Sequence, residues 1–168
     1  MKALGALSFL WDSEEVPLKT KIHLYMAIPI NLVLWNSEIW SGNKADLKAI
    51  DTFHHKAIRR ILHINMNQVK NERITNEEIR CRFNNIPPLS TIWRQRLLKF
   101  IGRSARQNHS SLSFLTLSLH IKGSRSRGRP YRTNKDAIVE SLRGLIPSLP
   151  KNGTFHYWFG YAKVRGVW

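Results

Sequence analysis

One cysteine, Cys81, stands in 168 residues. It can neither close an internal disulfide nor complete a cysteine-rich zinc site, which excludes stapled secreted scaffolds and zinc fingers and fits a reducing compartment. A part-buried thiol on a short helix is its expected state. Acids are scarce as well, with 11 Asp and Glu against 27 Lys and Arg and a formal net charge of +16. The aspartates are Asp12, Asp46, Asp51 and Asp136, no two of them adjacent. Two-metal phosphoryl transfer needs carboxylates converging on one site. Asp46 and Asp51 diverge around a helix, so capping and solvation are their expected roles. His54, His55 and His63 form neither an i,i+4 pair nor an HExxH arrangement, and no Gly-rich phosphate loop with a following Lys-Ser/Thr occurs. No catalytic residue, metal or cofactor is therefore expected in this chain. The longest mainly apolar stretch, residues 22–35, is shorter than the ~20 residues of a membrane span and is interrupted by His23, Pro29 and Asn31. A buried helix is expected there, and no membrane partner. Lys2 followed by apolar residues 3–11 lacks a small-x-small cleavage site and runs into the acidic segment 12–15, so it is not read as a leader.

What the chain does carry is a tract of positive charge. Between Glu78 and Asp136 every formal charge is positive. Residues 1–84 hold 12 basic and 9 acidic side chains, a net of +3, and residues 85–168 hold 15 and 2, a net of +13. Such a run repels itself in a lone fold and becomes favourable when a polyanion supplies phosphates and releases its counterions. Nucleic acid is the expected partner. The cations fall into two groups: Arg94, Arg96, Lys99, Arg103 and Arg106 interleave with apolar residues at helical spacing, whereas Arg125, Arg127, Arg129 and Arg132 sit among Gly, Ser and Pro.

Periodicity predicts a mainly α fold: a helical thumb-like bundle, a basic arm and C-terminal helices, with one short extended segment. Apolar residues at threes and fours from Leu18 to Trp40 predict a long helix bent or broken at Pro29. It is apolar on more than one side and is expected to pack on something larger. Asn43 caps a helix over 44–64 with Leu47, Ile50, Phe53 or His54, Ala57, Ile58, Ile61 and Leu62 inward and Lys48, Lys56, Arg59 and Arg60 mostly outward. Residues 65–73 read as a loop. Thr75 and Glu78 form a capping box for a short helix to Phe83. Pro87 and Pro88 precede a helix over 89–107, whose stripe is Ile92, Trp93, Leu97, Phe100, Ile101 and Ala105. The alternation of Leu112, Phe114, Leu115, Leu117, Leu119 and Ile121 with Ser and Thr predicts a strand or extended segment. Asn134 caps a helix over 135–145, and the aromatic residues 154–168 are helical, ending as a truncated helix would. The expected organisation is residues 1–66 thumb-like, 67–121 helical and basic, 122–134 the arm, and 135–168 the C-terminal helices. Trp35, Trp40 and Trp93 lie on apolar stripes and are expected in the core rather than as stacking platforms for single strands.

Arg127-Gly128-Arg129-Pro130 resembles the core of the AT-hook, an extended segment that enters the narrow minor groove of A·T-rich DNA. A basic loop touching phosphates without reading sequence is the preferred reading.

The ordered set of motifs resembles the carboxyl-terminal part of non-LTR (LINE-type) retrotransposon reverse transcriptases, over nearly the whole chain. Phe9-Leu10-Trp11, Leu18-Lys19-Thr20-Lys21 and Leu24-Tyr25 resemble the stretch after the family's palm. Leu34-Trp35-Asn36-Ser37-Glu38-Ile39-Trp40 is similar to its Leu-Tyr-Gly-Ser-Glu-x-Trp signature, departing at Trp35 and Asn36. Arg59-Arg60-Ile61-Leu62, Thr75-Asn76-Glu77-Glu78-Ile79 and Arg96-Leu97-Leu98-Lys99-Phe100-Ile101-Gly102 also resemble it, with Arg103 where His is usual. The Arg-Gly-Arg-Pro segment and Ala162-Lys163-Val164-Arg165-Gly166-Val167-Trp168 complete the set. The resemblance implies the thumb and the region beyond it of an RNA-directed DNA polymerase, holding an RNA–DNA hybrid or duplex by its backbone. The catalytic aspartates would lie in the palm, which together with the fingers would be the missing partners. An intracellular site is implied, the nucleus first. The alternatives are a free-standing AT-hook-like DNA-binding protein and a non-functional relic of such an element.

Overall fold

The structure is a computed structural model and describes residues 2–40, 42–118, 128 and 138–140. Every regular element among the described residues is helical, as the periodicity predicts. In chain order these are α1 (Lys2–Ala6), α2 (Ser8–Asp12), α3 (Leu18–Tyr25), a π-helical turn (Met26–Ile30), α4 (Asn31–Val33), a 3₁₀ turn (Ser37–Ile39), α5 (Lys44–Ile61), α6 (Met66–Asn71), α7 (Asn76–Arg82), α8 (Leu89–Ala105) and α9 (Leu112–Ser118). Ile138–Glu140 are helical too. The rest of the basic arm and of the expected C-terminal helices lies outside the described residues. The chain divides into two compact units: Met1–Asn36 with Lys44–Ile92, and Ser37–Asn43 with Trp93–Trp168. The boundary falls inside α8.

In the first unit, the helix that starts after Pro17 widens to a π turn at Pro29, because a proline has no N–H to donate and its ring displaces the carbonyl four residues back. It ends at Val33, seven residues short of the expected Trp40, because Asn36 turns left-handed at φ 53°. Trp35, expected in the core, is 77% exposed there. Trp11, Tyr25, Ile30, Leu34, Ala57, Ile58, Ile61, Ile79, Phe83 and Leu89 are buried. The Trp11 indole donates to the Leu4 carbonyl at 2.9 Å, and the Trp11 carbonyl accepts from Lys21 Nζ at 2.7 Å and from His63 Nε2 at 3.0 Å.

Helix α5 ends earlier than expected. His63 takes φ 56°, and the N–H groups of His63 and Ile64 return to the carbonyls of Arg60 and Arg59, a Schellman closure with histidine where glycine is usual. Residues 66–71, expected as loop, are helical because Asn65 and Gln68 form a reciprocal capping box at 2.8 and 2.9 Å. At α7 only half of the expected box forms. Thr75 accepts from Glu78 N–H at 3.2 Å, while the Glu78 carboxylate pairs with Arg82 at 2.7 Å.

In the second unit, Trp93 is the buried anchor. Its indole donates to the Ser37 carbonyl at 2.8 Å, and Gly42, at φ 46°, lies so close that a Cβ there would overlap the ring. Leu97, Leu98, Ile101, Ala105, Phe114 and Ile138 are buried as well. The extended segment expected from Leu112 onward is helical over Leu112–Ser118. The Ser111 hydroxyl accepts from Phe114 N–H at 3.3 Å, and this cap outweighs the alternation, which leaves Leu112 77% exposed.

Gly42→Ala is expected to lower the unfolding free energy by about 2 kcal/mol or more, from ring overlap and left-handed strain. A lower urea midpoint is the readout, and an unchanged midpoint contradicts the Trp93 packing.

Candidate nucleic-acid interface

Helix α8 advances about 100° per residue, so positions three and four apart share a face. Arg96, Lys99 and Arg103 follow that spacing along one side, and Arg106 continues it in the turn just past the helix end. Lys99, Arg103 and Arg106 are exposed and Arg96 is half-buried. The Arg106 guanidinium folds back over Gly102, where an added Cβ would come within 3.2 Å of Nη1. Arg96 and Arg106 both have further partners. No described carboxylate pairs with Lys99 or Arg103.

Arg94 does not join them. It stands three, four, seven and eleven residues before Leu97, Leu98, Ile101 and Ala105, all of which are buried, so it shares their side of the helix and is half-buried. The expected group of five is thus four and one. Arg125, Arg127, Arg129 and Arg132 lie outside the described residues.

Helix α5 carries a second set of cations. Its inward side holds His54, Ala57, Ile58 and Ile61, and Lys48, Lys56 and Arg60 are exposed with Arg59 half-buried. Two histidines divide between these sides. His54 is fully buried, with its Nδ1 2.8 Å from the Tyr25 hydroxyl and the two rings stacked at 5.8 Å. The Pro87 carbonyl favours the charged ring, but Nε2 makes no hydrogen bond. Burial dominates, and with His55 beside it pushes the His54 pKa down to about 4. Burial also raises the Tyr25 pKa far above its usual value, so the hydroxyl keeps its proton. His55 is half-buried, and its Nε2 meets Arg80 Nη1 at 3.2 Å. The i,i+4 spacing of His55 and Arg59 is visible in sequence, but Arg80 arrives from α7 through the tertiary fold.

The remaining candidates have structural roles. Asp51 caps α8 rather than its own helix, its Oδ1 accepting from Ser90 N–H at 2.8 Å, where a carboxylate complements the positive end of the helix dipole. Cys81, expected part-buried, is exposed, with Sγ 3.7 Å from Asn85 Oδ1; α7 turns that position away from its buried residue, Ile79. The described residues contain no cluster of His, Cys, Asp or Glu able to hold a metal, and none of their helices is long and apolar enough to cross a membrane. No family model matches the chain, and neither a curated protein nor a solved structure matches it.

Because His54 is held neutral in the fold, the unfolded chain takes up its proton first as the pH falls below its usual 6.5. Stability is fully present above that pH and declines toward pH 4, by up to about 3 kcal/mol from this residue. His55, whose pKa burial and Arg80 also lower, adds in the same direction. Urea midpoints across this window check it, and His54→Leu is expected to flatten the slope while lowering stability at pH 7.

Proposed function

We propose that this chain is the thumb and post-palm portion of a non-LTR (LINE-type) reverse transcriptase, and that it holds nucleic acid by the phosphate backbone. The observation that carries the binding reading is the α8 face, where Lys99 and Arg103 project into solvent without a described counter-charge. Cations placed so add little to a fold in water and much to contact with a polyanion. The Gly/Arg/Pro arm continues the same charge in sequence, and sequence-independent contacts fit it better than minor-groove reading. The working compartment is intracellular, the nucleus first.

Two further observations support the assignment to that family. Asn36 stands where the signature has glycine, and it adopts φ 53°, a left-handed conformation best tolerated by glycine and next by asparagine. Ile28, Leu32 and Trp35, spaced four and three apart, are 38%, 57% and 77% exposed. Ile28 lies in the π turn, Leu32 in α4 and Trp35 just beyond the helix end, and exposed apolar side chains of this kind are what a surface seated against a palm would present.

Binding of a fluorescent RNA–DNA hybrid tests the proposal. Affinity is expected to fall steeply between low and moderate salt, and Lys99→Ala with Arg103→Ala to weaken it several-fold and reduce the salt slope by up to about two counterions. Arg94→Ala is expected to change it far less. Affinity indifferent to salt, or equal loss from all three positions, contradicts the reading. A strong preference for A·T-rich duplex that vanishes with Arg127→Ala and Arg129→Ala would favour the AT-hook alternative instead.

A further inference from the structure

The first unit brings together three cationic or protonatable groups with no carboxylate paired to them. Arg80 of α7 meets His55 of α5 at 3.2 Å. A guanidinium has only donors, so the imidazole accepts at Nε2 and is neutral, with its proton on Nδ1 toward the Asp51 carbonyl one turn back. Arg59 follows His55 by four residues on the same face of α5. All three side chains are half-buried. The groups around His55 are Asp51, His54 and Arg59 from α5 and Arg80 from α7. Asp51 is the one acid among them, and its Oδ1 is committed to Ser90. Neither arginine pairs with a described carboxylate.

Two guanidiniums beside one imidazole repel each other, and partial burial sharpens that cost. Burial and Arg80 press His55 toward its neutral form, and the Asp51 carboxylate offsets them only in part. A tetrahedral oxyanion would take donors from both guanidiniums and from a protonated Nε2, in place of the Arg80-to-His55 hydrogen bond.

We propose that Arg59, His55 and Arg80 form a site for a phosphoryl oxyanion, and that His55 takes up one proton from solvent at Nε2 as the anion binds. The phosphoryl group belongs either to a nucleic-acid backbone or to free phosphate. The site uses none of the residues of the α8 face, so it stands or falls apart from the function proposed above.

The test follows the imidazole of His55 by nitrogen-15 NMR on the full chain through a pH titration. It is run in chloride, in inorganic phosphate and with a short RNA–DNA hybrid, at constant ionic strength. The His55 midpoint is expected to rise by about one pH unit with an anion that binds. A rise in both arms assigns the site to phosphate generally, and a rise with the hybrid alone assigns it to the backbone. Arg59→Gln with Arg80→Gln is expected to abolish the rise, while an unchanged far-ultraviolet circular dichroism spectrum reports an intact fold. No rise in either arm overturns the proposal, as does an equal rise in the double variant, which would reflect the overall charge of the chain.

Discussion

The contact between the Tyr25 hydroxyl and His54 is the constraint from which the first unit follows. Both groups are fully buried, 2.8 Å apart, with the Phe83 ring edge-on to Tyr25 at 5.7 Å. One polar pair thus joins residues from α3, α5 and the end of α7. In a dry interior each partner needs the other, since removing either leaves the Tyr25 hydroxyl or His54 Nδ1 without its hydrogen bond. With His54 turned inward, the 3.6-residue period sends Lys48, Lys56, Arg59 and Arg60 to the other side of α5. The burial of one histidine fixes where the charges of the whole helix emerge.

Helix α8 shows the same separation of sides. Trp93, Leu97, Leu98, Ile101 and Ala105 are buried, and Arg96, Lys99, Arg103 and Arg106 follow the other side. Stability does not account for these cations. The Arg82–Glu78 pair, with both side chains about half exposed at 45% and 48%, illustrates how little a surface ion pair contributes, under about 1 kcal/mol. Lys48, Lys56 and Arg60 of α5 and Lys99 and Arg103 of α8 lack even such a carboxylate partner among the described residues. Their mutual repulsion weighs against the fold and is relieved by an external anion.

Much of this was legible in the sequence. The long periodic stripes of α5 and α8 needed nothing beyond spacing, and Pro29 announced the break in the first helix. What escaped depended on single hydrogen bonds or on tertiary contacts. Asn65 and Gln68 read as loop residues until they are seen to cap each other. The alternation after Leu112 gave way to one serine hydroxyl. Asp51 looked like a residue of its own helix, yet it serves α8. Trp35 sat on an apolar stripe, and the left-handed turn at Asn36 leaves it exposed. Arg94 was grouped with its cationic neighbours by proximity in sequence, although its helical phase belongs to the buried side. The meeting of Arg80 with His55 spans 25 residues and left no local signal.

The central proposal is that the solvent-facing cations of α8 grip a phosphate backbone. Chemical footprinting of the chain with and without bound RNA–DNA hybrid tests it most directly, reading lysine acylation and arginine modification by mass spectrometry. The account predicts protection at Lys99 and Arg103, with the exposed Lys19 remaining as reactive as in the free chain. Uniform protection of all exposed cations, or none at Lys99 and Arg103, would contradict it.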